Sequence, residues 1–105
     1  MSRRKRQVRE AFRQNTMNRD GHQCRICGAT KDLQAHHITD RTKMPNGGYT
    51  MANGITLCPP CHLKAEKFHQ TDGKEWEPGL HPDDLYAKIG EDFEGAILAA
   101  RRLSW

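Results

Sequence analysis

The stretch that decides the fold runs Asn53-Gly54-Ile55-Thr56-Leu57-Cys58-Pro59-Pro60-Cys61-His62. Ile55-Thr56-Leu57 reads as a short strand, and Cys58-x-x-Cys61 is a tight knuckle directly after it. Leu63, Lys64, Ala65, Glu66 and Lys67 all favour a helix, predicted from His62 to about Gln70. Moving toward the N-terminus, Leu33 to Thr39 is rich enough in apolar residues for a first strand. Residues 40–52 hold Pro45, Asn46, Gly47 and Gly48, all turn formers, so they read as a loop. The two strands then form a hairpin with an enlarged loop. Cys24-x-x-Cys27, followed by Gly28, is a second knuckle ahead of it.

Two knuckles of equal spacing, 30 residues apart, supply four soft thiolates. Tetrahedral zinc asks for that donor set. Disulfides, redox thiols and unpaired buried cysteines are the competing readings. A redox pair needs a thioredoxin-like context, and none is visible. A structural zinc on Cys24, Cys27, Cys58 and Cys61 is therefore expected, pinning both ends of the hairpin.

The rest of the chain makes such a staple useful. Of 105 residues, only 35% are hydrophobic, which builds a thin core. No stretch approaches the ~20 apolar residues of a membrane-spanning helix, so no membrane is expected. No apolar run follows the basic N-terminus, so a secretory signal is not expected. A reducing cytoplasm is the expected setting.

The net charge of +4 is unevenly spread. Residues 1–25 hold eight Lys/Arg, including Arg3, Arg4, Lys5, Arg6, Arg9 and Arg13, against two acids. Residues 72–94 hold eight acids against two lysines. That polarity suggests one face for a polyanion and another held away from it, with a solvated basic helix as the plain alternative. Val8, Ala11, Phe12 and Asn15 form a narrow apolar stripe, so a helix is expected over about 3–19. Asp20-Gly21 reads as a turn. Pro82 with Asp83 and Asp84 opens a helix that stops at Gly90, and a last helix runs from about Asp92 to Leu103.

The cysteines leave a second group unexplained: His36-His37 in the first strand, Asn53 before the second, and His62 after Cys61. Adjacent strand residues point to opposite faces, so one histidine can bind a metal while the other meets a substrate. Singly, each has a bland reading. His36 and His37 can be polar strand residues, Asn53 a turn residue, and His62 a substitute zinc ligand.

Taken together, Leu33-Gln34-Ala35-His36-His37-Ile38 and Asn53-Gly54-Ile55-Thr56-Leu57-Cys58-x-x-Cys61-His62 closely resemble the HNH endonuclease family. Arg19-Asp20-Gly21-His22-x-Cys24-x-x-Cys27-Gly28 resembles its cysteine-containing branch. The resemblance covers roughly residues 17–69. It implies a small α+β fold: a ββα-metal, treble-clef-like core over about 20–70, stapled by the four-cysteine zinc. The flanking helices, basic at about 3–19 and C-terminal at about 80–103, complete a single domain over 1–105.

By that resemblance His36 and His62 hold a catalytic divalent metal, His37 is the general base, and Asn53 orients the hairpin loop. Glu66 shares a helix face with His62 and is a candidate further ligand. His69 is a weaker one, while His22 and His81 read as surface residues. A carboxylate favours Mg²⁺ or Mn²⁺; two imidazoles alone also suit Zn²⁺ or Ni²⁺. Arg41 and Lys43, after the catalytic strand, join the basic helix as candidate phosphate contacts.

The implied function is a metal-dependent DNA endonuclease leaving 5′-phosphate and 3′-hydroxyl ends, as a nickase or a double-strand cutter. A homodimer, or a partner in a phage or restriction complex, is compatible with it. The alternative is a zinc-stapled DNA-binding module without catalysis.

Overall fold

The computed structural model describes residues 2–103. Residues 1, 104 and 105, the ends of the expected domain, lie outside them. Among the described residues are four helices and one two-stranded sheet, a small α+β arrangement. Helix α1 spans Arg3–Arg19, with the Ser2 side chain accepting from the Lys5 N–H at its start. Strands β1 (Gln34–His37) and β2 (Gly54–Leu57) pair antiparallel. Helices α2 (Pro59–Gln70), α3 (Pro82–Lys88) and α4 (Phe93–Arg101) follow.

The register sets which histidine faces where. His36 pairs with Ile55 and His37 with Gly54. Directly opposed residues share a face of the sheet. His36 therefore lies with Ile55 on the side of α2, and His37 with Gly54 on the side of α1. Gly54 makes the second contact feasible. A Cβ there would sit 2.6 Å from Thr16 Oγ1 and 2.7 Å from the Phe12 ring.

Helix α1 buries Phe12, Thr16 and Met17. Of the expected stripe, only Phe12 is buried; Val8 is half-buried, while Ala11 and Asn15 are exposed. The helix is turned because β2 offers it a glycine and a threonine, which receive the compact Thr16 better than a bulky apolar residue. Val8, Ala11 and Asn15 instead border an open groove with Tyr49 and Met51.

The outer edge of β2 is held by Arg19, by Asp20 at the end of α1, and by the backbone of the first knuckle. The Asp20 carboxylate accepts from the Thr56 N–H at 2.9 Å, while the Arg25 N–H donates to the Thr56 carbonyl at 3.0 Å. Arg19 donates to the carbonyls of Gly54 (2.7 Å) and Met51 (2.6 Å), and both arginines pair with Asp20. Asp20 ends α1 as expected, but its side chain is fully buried as the hub of this network.

The loop between the strands is more ordered than its turn formers suggest. It winds into short 3₁₀ turns at Arg41–Lys43 and Met51–Asn53, with a kinked turn over Pro45–Gly48 between them. Asn46 adopts a left-handed conformation (φ 52°), and its side chain donates to the Ala100 carbonyl of α4 at 3.0 Å. Helix α2 starts three residues before the expected His62. Pro59 and Pro60 occupy its first positions, where no N–H donor is required.

The C-terminal helices follow the expected boundaries closely. Asp92 caps α4, and Gly90 at φ 72° ends α3. His81 departs from its surface reading. It is half-buried beside Phe68 and Trp76, and it caps α3: its Nδ1 accepts from the Asp83 N–H, and its own N–H donates to the Asp84 carboxylate. One apolar cluster joins the hairpin to both ends of the chain's second half: Ile38, Ile55, Leu57, Ala65, Leu85 and Ala100 are among its members. None of the described helices is long and apolar enough to cross a membrane.

Candidate active site and metal centres

Two clusters of ligand-type side chains lie on this frame. The first is Cys24, Cys27, Cys58 and Cys61, whose sulfurs all lie within 4.8 Å of one another. Four sulfurs bound to one zinc at about 2.3 Å stand about 3.8 Å apart, so the cluster fits that ion. The first knuckle is closed by backbone bonds, Gly28 N–H to the Cys24 carbonyl and Cys24 N–H to the Ala29 carbonyl. Gly28 adopts φ 80°, which a side chain would oppose. All four cysteines are free thiols. Burial works against the Cys24 thiolate, but the backbone N–H groups of Cys27, Cys58 and Ile26 outweigh it and pull the thiol down to about 6. Burial and the neighbouring sulfurs push Cys61 up. A cation at the centre relieves that crowding of would-be anions.

The second cluster is His36, His62 and Glu66, with ligand atoms again within 4.8 Å of one another. Glu66 Oε1 stands 3.2 Å from His36 Nδ1 and 3.1 Å from His62 Nε2. The helix spacing of four places Glu66 one turn beyond His62, on the same face. His36 is 1% exposed, yet its Nδ1 has no hydrogen-bond partner among the described residues; its approach to Glu66 lacks the alignment. A buried nitrogen close to a carboxylate oxygen but not bonded to it fits a shared metal ligand. An octahedral ion about 2.1 Å from its donors spaces neighbouring ligands about 3 Å apart, which matches the observed separations. The His36 and His62 ring nitrogens beside it hold Glu66 well below the usual carboxylate range, against the opposing effect of burial. Burial lowers the His36 pKa despite Glu66 beside it. His36 is thus set to be a neutral imidazole and Glu66 an ionised carboxylate, the forms that bind metal.

His69 does not join this donor set. Its ring stacks on His36 at 5.3 Å, and its Nε2 lies 2.9 Å from the His37 carbonyl, tying α2 to β1.

His37 projects to the other side. Its ring stacks on Phe12 (centroids 4.6 Å apart) and meets Tyr49 edge-on at 4.7 Å. It is half-buried, and Nε2 has no hydrogen-bond partner among the described residues. Burial first, then the nearby His36 and Arg41, hold its pKa down to about 4. Arg9 lies over the Tyr49 ring at 5.1 Å, and Arg41 donates to the Tyr49 hydroxyl at 3.1 Å. Two candidate phosphate contacts thereby converge on the residue beside His37. Lys43 pairs with Asp72 at 2.7 Å. Arg3, Arg4, Lys5, Arg6 and Arg13 are exposed on α1.

Asn53 is fully buried and its side chain closes the inter-strand loop. Its Oδ1 accepts from the Thr39 N–H at 2.9 Å, and Nδ2 donates to the carbonyls of Thr39 and Gly48. The Tyr86 hydroxyl also donates to Oδ1, at 2.6 Å. Gly48 is required for this approach, since a Cβ there would lie 2.6 Å from Asn53 Nδ2.

Sequence reasoning did not single out Phe12, Tyr49 or Tyr86 for the site. Phe12 stood only as a stripe residue, and no motif spacing marks the two tyrosines. Residues 24–68 match the family described as HNH endonuclease. No curated protein and no solved structure matches the chain.

Proposed function

We propose, on the premise that residues 24–68 belong to the HNH endonuclease family, that this chain is a metal-dependent DNA endonuclease. The observation that carries the reading is the convergence of His36, His62 and Glu66 on one point, with His37 the next residue of the same strand. His36, His62 and Glu66 hold a divalent ion, Mg²⁺ or Mn²⁺ before Zn²⁺ or Ni²⁺ because one donor is a carboxylate. When bound, that ion stabilises negative charge developing on the phosphate and on the departing 3′ oxygen.

The protein's own groups do the rest. His37 accepts the proton of the attacking water, a task suited to a neutral imidazole. Phe12 and Tyr49 fix its ring between them. Asn53 ties the loop across its base and so sets the path of the strand end that carries His37. Glu66 and His62, one helical turn apart, need no rearrangement to act together. The products carry 5′-phosphate and 3′-hydroxyl ends.

The four cysteines hold a separate structural zinc, and residues 1–105 work as one nuclease domain. Arg3, Arg4, Lys5, Arg6, Arg9 and Arg13, with Arg41 and Lys43, contact the DNA backbone, which positions the duplex without reading sequence. A monomer nicks one strand; a dimer or a partner subunit permits cleavage of both.

Supercoiled plasmid incubated with the protein and Mg²⁺, Mn²⁺, Ni²⁺ or EDTA, beside His37→Ala, tests this reading. Relaxed or linear product with metal, none with EDTA, and a loss of about 10²-fold or more in the variant are expected. DNA retention without cleavage under any metal would instead make the chain a binding module.

A further inference from the structure

Asn53 uses its full hydrogen-bonding capacity, and one of its four bonds comes from far outside the matched segment. An amide side chain offers two donors and an acceptor oxygen with two lone pairs. The donors go to the carbonyls of Thr39 and Gly48, and one lone pair goes to the Thr39 N–H. The last is taken by Tyr86 on α3, 33 residues along the chain and beyond the family match at 24–68.

The direction of the protons follows. Thr39 N–H can only donate, so the atom facing it is the amide oxygen. The Tyr86 hydroxyl therefore spends its single proton on Asn53 Oδ1. Its remaining contact, Thr39 Oγ1 at 2.7 Å, must then donate to it. The result is a relay of donors, Thr39 hydroxyl to Tyr86 hydroxyl to Asn53 oxygen, closed on the Thr39 backbone. Tyr86 is 2% exposed, so water does not compete for these bonds. Burial raises its pKa to about 12, against the opposing Thr39 bond, so the donor keeps its proton across the working range.

The same helices hold the loop at a second point. Asn46, in the middle of the loop, donates to the Ala100 carbonyl near the end of α4. Ala96 and Ala100, both fully buried, bring α4 close to the core beneath that loop.

We propose that Tyr86 is a positioning residue for the cleavage site, acting through Asn53, and that α3 and α4 brace the inter-strand loop as a working part of the nuclease. This inference rests on the nuclease reading above. Thr39 lies two residues after His37, so a donor that fixes Asn53 against Thr39 fixes the exit of β1 and with it the base. Without that bond the amide keeps three partners and the loop still folds, but the strand end gains freedom. The loss falls on the chemical step and not on DNA binding.

The test compares Tyr86→Phe and Thr39→Val with the parent and with the double variant, in the full chain. Tyr86→Phe keeps the ring and removes only the donor. Its kcat, measured well below the melting range, is expected to fall about tenfold with KM and zinc content unchanged. Thr39→Val is expected to cost less, and the double variant no more than Tyr86→Phe alone, because both act through one relay. An unchanged kcat, or losses that multiply in the double variant, would overturn the proposal. The Asn53 side-chain amide resonances give a readout independent of catalysis. They are expected to shift in Tyr86→Phe, while those of Asn46 stay in place. An inactive parent would sink the nuclease reading; unshifted Asn53 resonances would sink this one.

Discussion

The two ends of one short hairpin carry different donor sets. At the end where Gln34 pairs with Leu57, the chain runs into cysteines on both sides, four sulfurs enclose a point, and the donor set is complete. At the end where His37 pairs with Gly54, strand and helix together present two nitrogens and one carboxylate to a second point. Four protein donors close a tetrahedral ion, as a structural site requires; three leave positions for water and substrate. The same helix serves both, with Cys61 turned to one cluster and His62 and Glu66 to the other. On the proposed reading, the number of protein donors, four against three, separates stability from chemistry.

Breaking the closed end gives the largest expected effect. Cys58→Ser is expected to remove zinc and lower stability by at least about 5 kcal/mol, abolishing a cooperative thermal transition. A variant that melts like the parent without zinc would undo the contrast between the ends.

Asp20 comes next, because it secures β2 between the two ends. Its carboxyl is held below the ordinary value of 3.8: burial pushes it up, but the bonds from Arg19 and Thr56 prevail. A depressed folded pKa contributes stability that is complete above pH 3.8 and is lost as the pH falls below it. Asp20→Asn leaves two arginines partly unpaired and is expected to cost about 3 kcal/mol at neutral pH. Denaturant titrations at descending pH should show the parent approaching the variant.

At the open end the expectation reverses. His62→Ala is expected to lower plasmid cleavage about 10²-fold while leaving the thermal midpoint and the zinc content as in the parent. A matching loss of stability would mean that the second cluster is structural too.

The smallest expected effect sharpens the contrast from the α1 side. Gly54→Ala forces Phe12 and Thr16 away from β2 and is expected to cost about 2 kcal/mol. Since Phe12 also stacks on His37, activity is expected to fall further than the unfolded fraction accounts for. Kinetics measured well below the melting range separate the two.

The parts of this molecule legible in the sequence are those that depend on local spacing. The knuckles, the paired histidines and the helix start at Pro82 declare themselves because metal geometry and backbone sterics act over a few residues. The strands are legible to within about two residues for the same reason. Glu66 is legible as a neighbour of His62 but not as a partner of His36, since that meeting depends on how α2 crosses β1. The inward face of α1 misleads because Thr16 is buried for its size beside Gly54, and polarity conceals it. Tyr86 carries no signal at all. Its role comes from a tertiary contact, and one tyrosine on a short helix looks like any other core aromatic.

A two-stranded sheet exposes a free edge on each strand, and an unprotected edge invites another chain to add a strand. Here the side of β2 away from β1 is already spoken for: Thr56 gives its N–H to Asp20 and its carbonyl to Arg25, and Gly54 gives its carbonyl to Arg19. These bonds mimic a third strand without supplying one. A 105-residue chain with a thin core therefore resists edge-to-edge aggregation on that side through two arginines and one aspartate.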